Sequence, residues 1–219
     1  ETARGGLLRE GVGFDRCSVA VVTNVGSGDH LGLNYITTLE DVTVLKRVIV
    51  QNVAADGWAV LNAADPQVVP MAAACPGQVI YFALNRANPV LSAHRATGGR
   101  SLHVEQRPEG AFIVATEGAW REQVALSEVP ITRGGRIAFQ VENVLAAVAA
   151  AWATGLDWDS VRTGLAGFVP DAQSPPGSFN LMDYRGATLI ADYGHNPDAM
   201  PVLVQAVEAL PAAEGQRRS

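Results

Sequence analysis

The sequence predicts an α/β fold: a mostly parallel sheet with helices on both faces and an antiparallel hairpin portion. Residues 18–23 form a continuous, mostly β-branched run, which is typical of a parallel strand covered on both faces. Further strands are predicted at 57–61 and 79–84, with a short helix at 67–74 between them, so the chain winds in an α/β order. A hydrophobic content of 48% with 17% charged residues fits such a globular protein.

A hairpin and two helices follow this α/β segment. From Ser101 the hydrophobic pattern alternates and leads into the stretch 107–110, where Pro and Gly are placed as in a type I turn. Residues 111–116 then return, which predicts an antiparallel pair. The Ala-rich stretch 137–152 predicts a helix, and Asp157 is the predicted N-cap of a shorter one.

A Pro-, Gly- and Ser-rich stretch at 170–178 predicts a linker between two domains. Beyond it, residues 179–183 and 187–192 predict a hairpin-like pair of strands. Asn196 and Pro197 suit the N-cap and first position of a helix that runs toward Leu210. The predicted division is 1–172 for the first domain, 173–178 for the linker and 179–219 for the start of a second domain.

Composition excludes several classes of function. The net charge of −6 argues against nucleic acid as a partner, and no membrane span or signal peptide is visible. Cys17 and Cys75 lack metal-type spacing, which predicts buried thiols in a reducing, cytoplasmic compartment. His94 and His103 have no ligand-type residues at suitable spacing, so both are interpreted as structural. The sequence leaves open whether the chain forms a homo-oligomer.

Lys46 is the only lysine among 16 basic residues, and it lies on a predicted amphipathic helix. Thr37-x-x-Glu40 predicts a capping box, with the helix starting at Thr38 or Leu39. The predicted apolar stripe runs beside the stem of Lys46. Its members are Val42, Leu45, Ile49, Val50 and Val53.

Two interpretations of Lys46 follow from this setting. Desolvation favours the neutral amine, which can react with carbon dioxide to form a carbamate, and a carbamate binds a hard cation as a carboxylate does. Alternatively, the stem packs on the apolar face while the ammonium reaches water. Periodicity does not separate the two.

Five stretches together resemble the Mur ligase superfamily, and within it the Mur-like part of the cyanophycin synthetases. They are ETARGGLLREGVGFDRC, NVGSGDHLGL, VLNAADPQV, GRIAFQVENVLAAVAAAWATGL and RGATLIADYGHNPDAM. Their order and spacing cover nearly the whole chain. The resemblance implies a Mur ligase central domain with a P-loop-type sheet, followed by the truncated start of a Rossmann-like C-terminal domain.

The same resemblance implies a site. Glu1, His30 and Lys46 would be magnesium ligands, with Lys46 carbamylated and with His30 and Lys46 counted as catalytic. Without the resemblance, Glu1 is a solvated residue and His30 a loop histidine bonded to backbone. Residues implied to bind the nucleotide are Asn143 at the base, Asp192 at the ribose, and Tyr193, His195 and Asn196 of the same motif.

The implied reaction is ATP-dependent amide-bond formation with Mg²⁺. ATP phosphorylates a carboxylate, and the α-amine of an amino acid attacks the acyl phosphate. In the cyanophycin synthetases the acceptor is an aspartate side chain of a polyaspartate chain, and the Mur-like part adds arginine. A peptidoglycan Mur ligase, a folylpolyglutamate synthase and a non-catalytic Mur-like interaction module are the alternatives.

Two features depart from the family pattern. No G-x-x-x-x-G-K-[ST] motif occurs in the sequence, and Ser178 stands where the family has an arginine that contacts the nucleotide. The chain also opens on Glu1 in mid-motif. We therefore expect it to be a fragment of a longer polypeptide that does not hydrolyse ATP by itself.

Overall fold

A six-stranded sheet with the strand order β1-β2-β3-β4-β5-β6 organises the computed structural model, which describes residues 2–26, 32, 35–169, 177–194 and 197–210. Strands β1 to β4 are parallel, while β4 to β6 are antiparallel. The predicted fold class is therefore confirmed. The strands are β1 Cys17–Val22, β2 Val53–Asn62, β3 Gln78–Asn85, β4 Ser101–Arg107, β5 Gly110–Glu117 and β6 Trp120–Ala125.

Helices cover both faces of this sheet, and no helix among the described residues is long and apolar enough to cross a membrane. The α-helices are α1 Arg4–Glu10, α2 Leu39–Gln51, α3 Pro89–Ala96, α4 Ala138–Ala153, α5 Trp158–Gly167 and α6 Ala199–Ala209. Three 3-10 helices lie at Val69–Ala74, Leu126–Glu128 and Pro130–Thr132. A two-stranded antiparallel sheet, β7 Asn180–Tyr184 with β8 Ala187–Ala191, precedes α6.

Alternating residues of one strand supply the two halves of the core. In β2, Val60 packs in the cluster that contains Leu145 of α4, whereas Leu61 packs in the cluster that contains Val42 of α2. All four side chains are fully buried. Because side chains alternate across a strand, a continuous apolar run fills both faces at once, as the sequence predicts for parallel strands.

A third apolar cluster joins the two-stranded sheet and α6 to the start of α4. Ile137, just before α4, packs with Phe179 and with Ala206 of α6, and all three are buried. The ring of Phe139 meets that of Phe179 edge-on at a centroid distance of 5.6 Å. The start of α4 is therefore the surface on which α6 and the β7-β8 pair rest.

The start of α2 confirms the predicted boundary but corrects the predicted cap. Helix α2 begins at Leu39, and its capping box is formed by Thr38 and Asp41 rather than by Thr37 and Glu40. Thr38 Oγ1 accepts from the Asp41 N–H at 3.1 Å, and Asp41 Oδ2 accepts from the Thr38 N–H at 2.9 Å. The sequence holds two overlapping Thr-x-x-acid patterns, and the extended backbone of Thr38 selects the second.

Two other boundaries differ from the prediction. Strand β2 begins at Val53, because Val53 pairs with Cys17 across an irregular step in the register. Val53 therefore belongs to the sheet and not to the helical stripe. The last helix begins at Ala199 with Asp198 as its N-cap, so Pro197 precedes the helix, and Asn196 lies outside the described residues.

Candidate functional site

A cavity of about 690 Å³ opens at the carboxyl ends of β1 and β2, between α4 and α6. Ligands of open α/β sheets bind at this edge, where the loops that follow the strands converge. The lining combines nine apolar or small residues with eight polar side chains from four separate segments. These polar residues are Asn24, Asn62, Asp65, Gln67, Glu142, Asn143, Asp192 and Asp198.

Asp65 ties together the loops that follow β1 and β2. Its Oδ2 accepts from the Val25 N–H at 2.7 Å, and its Oδ1 accepts from the N–H groups of Gln67 and Val68 at 2.7 and 3.3 Å. One carboxylate thus orders the backbone of both loops. In the loop after β1, Gly26 approaches the N-cap of α6 so closely that a Cβ there would lie 2.9 Å from Asp198 Oδ2.

Glu142 of α4 reaches the end of β2 across the cavity. Asn62 Nδ2 donates to Glu142 Oε1 at 3.0 Å, and Asn62 is itself buried. Burial raises the pKa of Glu142, and the negative charge of Asp65 adds to this, although the Asn62 hydrogen bond opposes it. Sequence reasoning did not select Glu142, although it is the one carboxylate on an otherwise Ala-rich helix, where the structure buries it in part.

Two residues that the sequence analysis placed at the nucleotide line this same cavity. Asn143 lies one residue beyond Glu142 and donates from Nδ2 to Gln140 Oε1 at 3.3 Å. Asp192 follows β8 and accepts from the N–H of Phe179 at 2.9 Å and of Gly194 at 2.7 Å. These bonds fix the Asp192 carboxylate at the cavity wall, since both of its oxygens hold backbone groups.

Lys46 lies beside the loop that leads into the cavity. Its Nζ donates to the main-chain oxygen of Asn24 at 3.1 Å, and Asn24 lines the cavity. Glu1, His30, His195 and Asn196 lie outside the described residues, so the proposed ligand set and the carbamate stay predictions. Tyr193 is 78% exposed, is not among the lining residues, and donates its N–H to the Gly177 oxygen at 2.7 Å.

The cavity is acidic, and many of its polar side chains carry oxygen atoms that can coordinate a metal ion. Asp65, Glu142, Asp192 and Asp198 contribute carboxylates, and the described lining contains neither lysine nor arginine. Carboxylate and amide oxygens are the ligands that Mg²⁺ prefers, so the donor chemistry suits that ion. Within the described ranges, however, no three His, Cys, Asp or Glu side chains are grouped as a metal site.

A mostly parallel sheet that ends in an antiparallel hairpin, with a polar cavity at its carboxyl edge, defines the class of the Mur ligase central domain. The chain belongs to this class: the model of the Mur ligase middle domain family matches residues 5–151. The structure resembles that of MurF from Acinetobacter baumannii, with a TM-score of 0.61 and 19% identity over 89% of this chain and 38% of that one.

Curated relatives in this class are named cyanophycin synthetase. The relative from Synechocystis sp. is 41% identical over 90% of this chain, and that from Geminocystis herdmanii is 39% identical over the same share. A UDP-N-acetylmuramoyl-L-alanyl-D-glutamate–2,6-diaminopimelate ligase from Geobacillus kaustophilus is 27% identical over 88% of this chain and 36% of that relative. The chain spans 22% of the length of the two cyanophycin synthetases.

Proposed function

We propose that this chain is part of an ATP-dependent acid–amino-acid ligase and that the cavity between α4 and α6 holds the nucleoside part of ATP. One observation carries the proposal. Asn143 and Asp192 come from different elements and different predicted domains, yet they line one cavity. Each was predicted to contact the nucleotide without reference to the other's position in space.

The chemistry of the two side chains suits the two parts of a nucleoside. The amide of Asn143 offers both a donor and an acceptor, as recognition of the edge of a base requires. Phe139 and Leu203 provide apolar wall beside it, against which a base can pack. The Asp192 carboxylate is an acceptor with lone pairs to spare beyond its two backbone bonds, so it can accept from ribose hydroxyls.

Magnesium would be held at the opposite end of the site, toward the loop that follows β1. Lys46, as a carbamate, would hold it together with Glu1 and His30, and the ion would offset the repulsion between a carboxylate and the triphosphate. Of these three residues the structure describes Lys46, whose amine lies beside the Asn24 carbonyl. Its position at the mouth of the sheet supports the assignment of Lys46 to the site.

The relatives support a proposal for the substrate class. Identity to the cyanophycin synthetases is 37–41% over 90% of the chain, against 34% over 66% for a UDP-N-acetylmuramoylalanine–D-glutamate ligase and 27% over 88% for a diaminopimelate ligase. We therefore propose that the acceptor is an aspartate side chain of an acidic peptide and that the incoming amine is that of arginine. The products of one turnover are an amide, ADP and phosphate.

Replacing Asn143 by alanine is expected to weaken adenosine and ADP binding to the 219-residue chain about five- to tenfold, the scale of one or two neutral hydrogen bonds. The matched control is Gln51→Ala, which removes an exposed amide from α2, outside the cavity. Dissociation constants from ligand-detected NMR titrations provide the comparison. Equal affinities for the two variants would refute the assignment of the base to this cavity.

The non-catalytic alternative is tested by the same titration. Ser178 occupies the family's arginine position and donates its N–H to Asn180 Oδ1 at 3.3 Å, so its backbone helps to order the end of the linker. A Mur-like interaction module would leave the cavity without affinity for nucleotide. Saturable binding of ADP that depends on Asn143 would exclude that alternative.

A further inference from the structure

A second cavity of about 570 Å³ lies at the carboxyl ends of β3 and β4, and two arginines are among the residues that line it. Arg86 follows β3, Arg107 ends β4, and the two line the cavity with Glu105. Arg121 of β6 adds a third guanidinium, whose Nη2 lies 2.7 Å from Glu105 Oε2. The chain carries a net charge of −6, so this local concentration of cations stands out.

One buried carboxylate holds these guanidinium groups in place. Glu105 is only 9% exposed, and its Oε2 accepts from Nε and Nη2 of Arg107 at 3.3 and 2.8 Å. Its Oε1 lies 3.2 Å from His103 Nε2 and 3.5 Å from Arg86 Nη1. The arginines are therefore ordered before a ligand arrives, which lowers the entropic cost of binding.

The arginines carry more positive charge and more donors than these contacts use. Three guanidinium groups face Glu105, and the further carboxylate paired with them among the described residues, that of Glu109, is 59% exposed and 3.9 Å from Arg107. Each guanidinium has five N–H donors, and Arg121 directs one of them at Glu105. Arg86 and Arg121 are 65% and 44% exposed, so a ligand can reach them.

The second cavity lies at the same edge of the sheet as the first. Strands β2, β3 and β4 are adjacent and parallel. The carboxyl end of β2 is therefore about 10 Å from that of β4. Asn88 Nδ2 donates to the Ala63 oxygen at 3.0 Å, which joins the loop after β3 to the loop after β2. An extended peptide covers that distance with about three residues.

We infer that the second cavity is an anion subsite that takes a side-chain carboxylate of an acidic peptide while a neighbouring part of that peptide reaches the first cavity. The inference rests on the proposed function, in which the acceptor is an aspartate-rich chain. Guanidinium groups bind carboxylates in bidentate geometry, and they bind phosphate in the same way. The experiment therefore separates the two anions.

The test is a fluorescence-anisotropy titration of the 219-residue chain with a labelled oligo-aspartate peptide, with an oligo-asparagine peptide as the uncharged probe. Arg121→Gln is expected to weaken oligo-aspartate binding roughly tenfold, the loss of one charge-assisted contact. Arg86→Gln, at a residue that is 65% exposed and lies 3.5 Å from Glu105, is expected to keep the fold and to act in the same direction. The matched control is Arg162→Gln, since Arg162 is 37% exposed and is also paired with carboxylates, but it neither lines the cavity nor pairs with Glu105, whereas Arg121 pairs with Glu105.

Equal affinity of the wild type, Arg86→Gln and Arg121→Gln for oligo-aspartate would overturn the inference, as would equal binding of oligo-asparagine. Displacement of the peptide by inorganic phosphate, at concentrations where acetate has no effect, would assign the subsite to phosphate and overturn it too. ADP titrations of the same samples separate this result from the proposed function. Peptide binding that is weakened by Arg86→Gln and Arg121→Gln, in a chain that does not bind ADP, would support the subsite and refute the nucleotide cavity.

Discussion

Gly77→Ala is expected to lower the free energy of unfolding by about 3 kcal/mol, near the upper end for overpacking. Gly77 immediately precedes β3, and a Cβ at this position would lie 2.6 Å from the Ala54 oxygen and closer still to the Gly57 oxygen. Both atoms belong to the backbone of β2, so no side chain can move aside. The strain would fall on the pairing of β2 with β3, which sets the carboxyl edge of the sheet.

Gly164→Ala is the matched control for this substitution. Gly164 lies on the exposed side of α5 with nothing within 4 Å of its added Cβ, so alanine should stabilise the helix by up to about 1 kcal/mol. Chemical denaturation of both variants measures the two changes on one scale. A Gly77→Ala variant as stable as the wild type would show that β2 and β3 are not packed so closely.

Glu105→Gln is expected to cost about 2–3 kcal/mol of folding free energy at pH 7, because three arginines lose the carboxylate that they surround. Burial by itself raises the pKa of Glu105, but hydrogen bonds from Arg107, Arg121 and His103 outweigh it and lower that pKa to about 2. A lowered carboxyl pKa gives stability that is present above the unfolded-state pKa. The stability is lost as pH falls toward about 2.

The pH dependence is therefore the decisive measurement for Glu105. The difference in unfolding free energy between wild type and Glu105→Gln should be full at pH 7 and should shrink as pH falls from about 4.5 to about 2. Glu109→Gln, at a carboxylate that is 59% exposed, should change stability by less than about 0.5 kcal/mol. A Glu105 effect that does not change with pH would contradict the ion-pair account.

Local patterns predicted the hairpin and the main helices well, because their signals lie within one segment. Strand β6 was missed because it is an edge strand in which three of the six residues are polar and only Val124 is buried. Helix α3 was missed although its signals were present. Asn88 caps it by accepting from the Leu91 N–H at 3.0 Å, and Pro89 occupies its first position.

The site was harder to predict from the sequence because its residues are far apart along the chain. Asn143 and Asp192 came from a resemblance to a family, not from spacing. Asn62 and Glu142, which meet across the cavity at 3.0 Å, are 80 residues apart, and no local pattern pairs them. The arginines around Glu105 are likewise brought together by neighbouring strands, since Arg121 is 16 residues from Glu105.

A crystal structure of the chain with ADP tests the central claim most directly, namely that the cavity between α4 and α6 holds the nucleoside. The account predicts the base against Asn143 and Phe139, with the ribose hydroxyls at the Asp192 carboxylate. Clear ADP density at another place, with this cavity left to solvent, would contradict it.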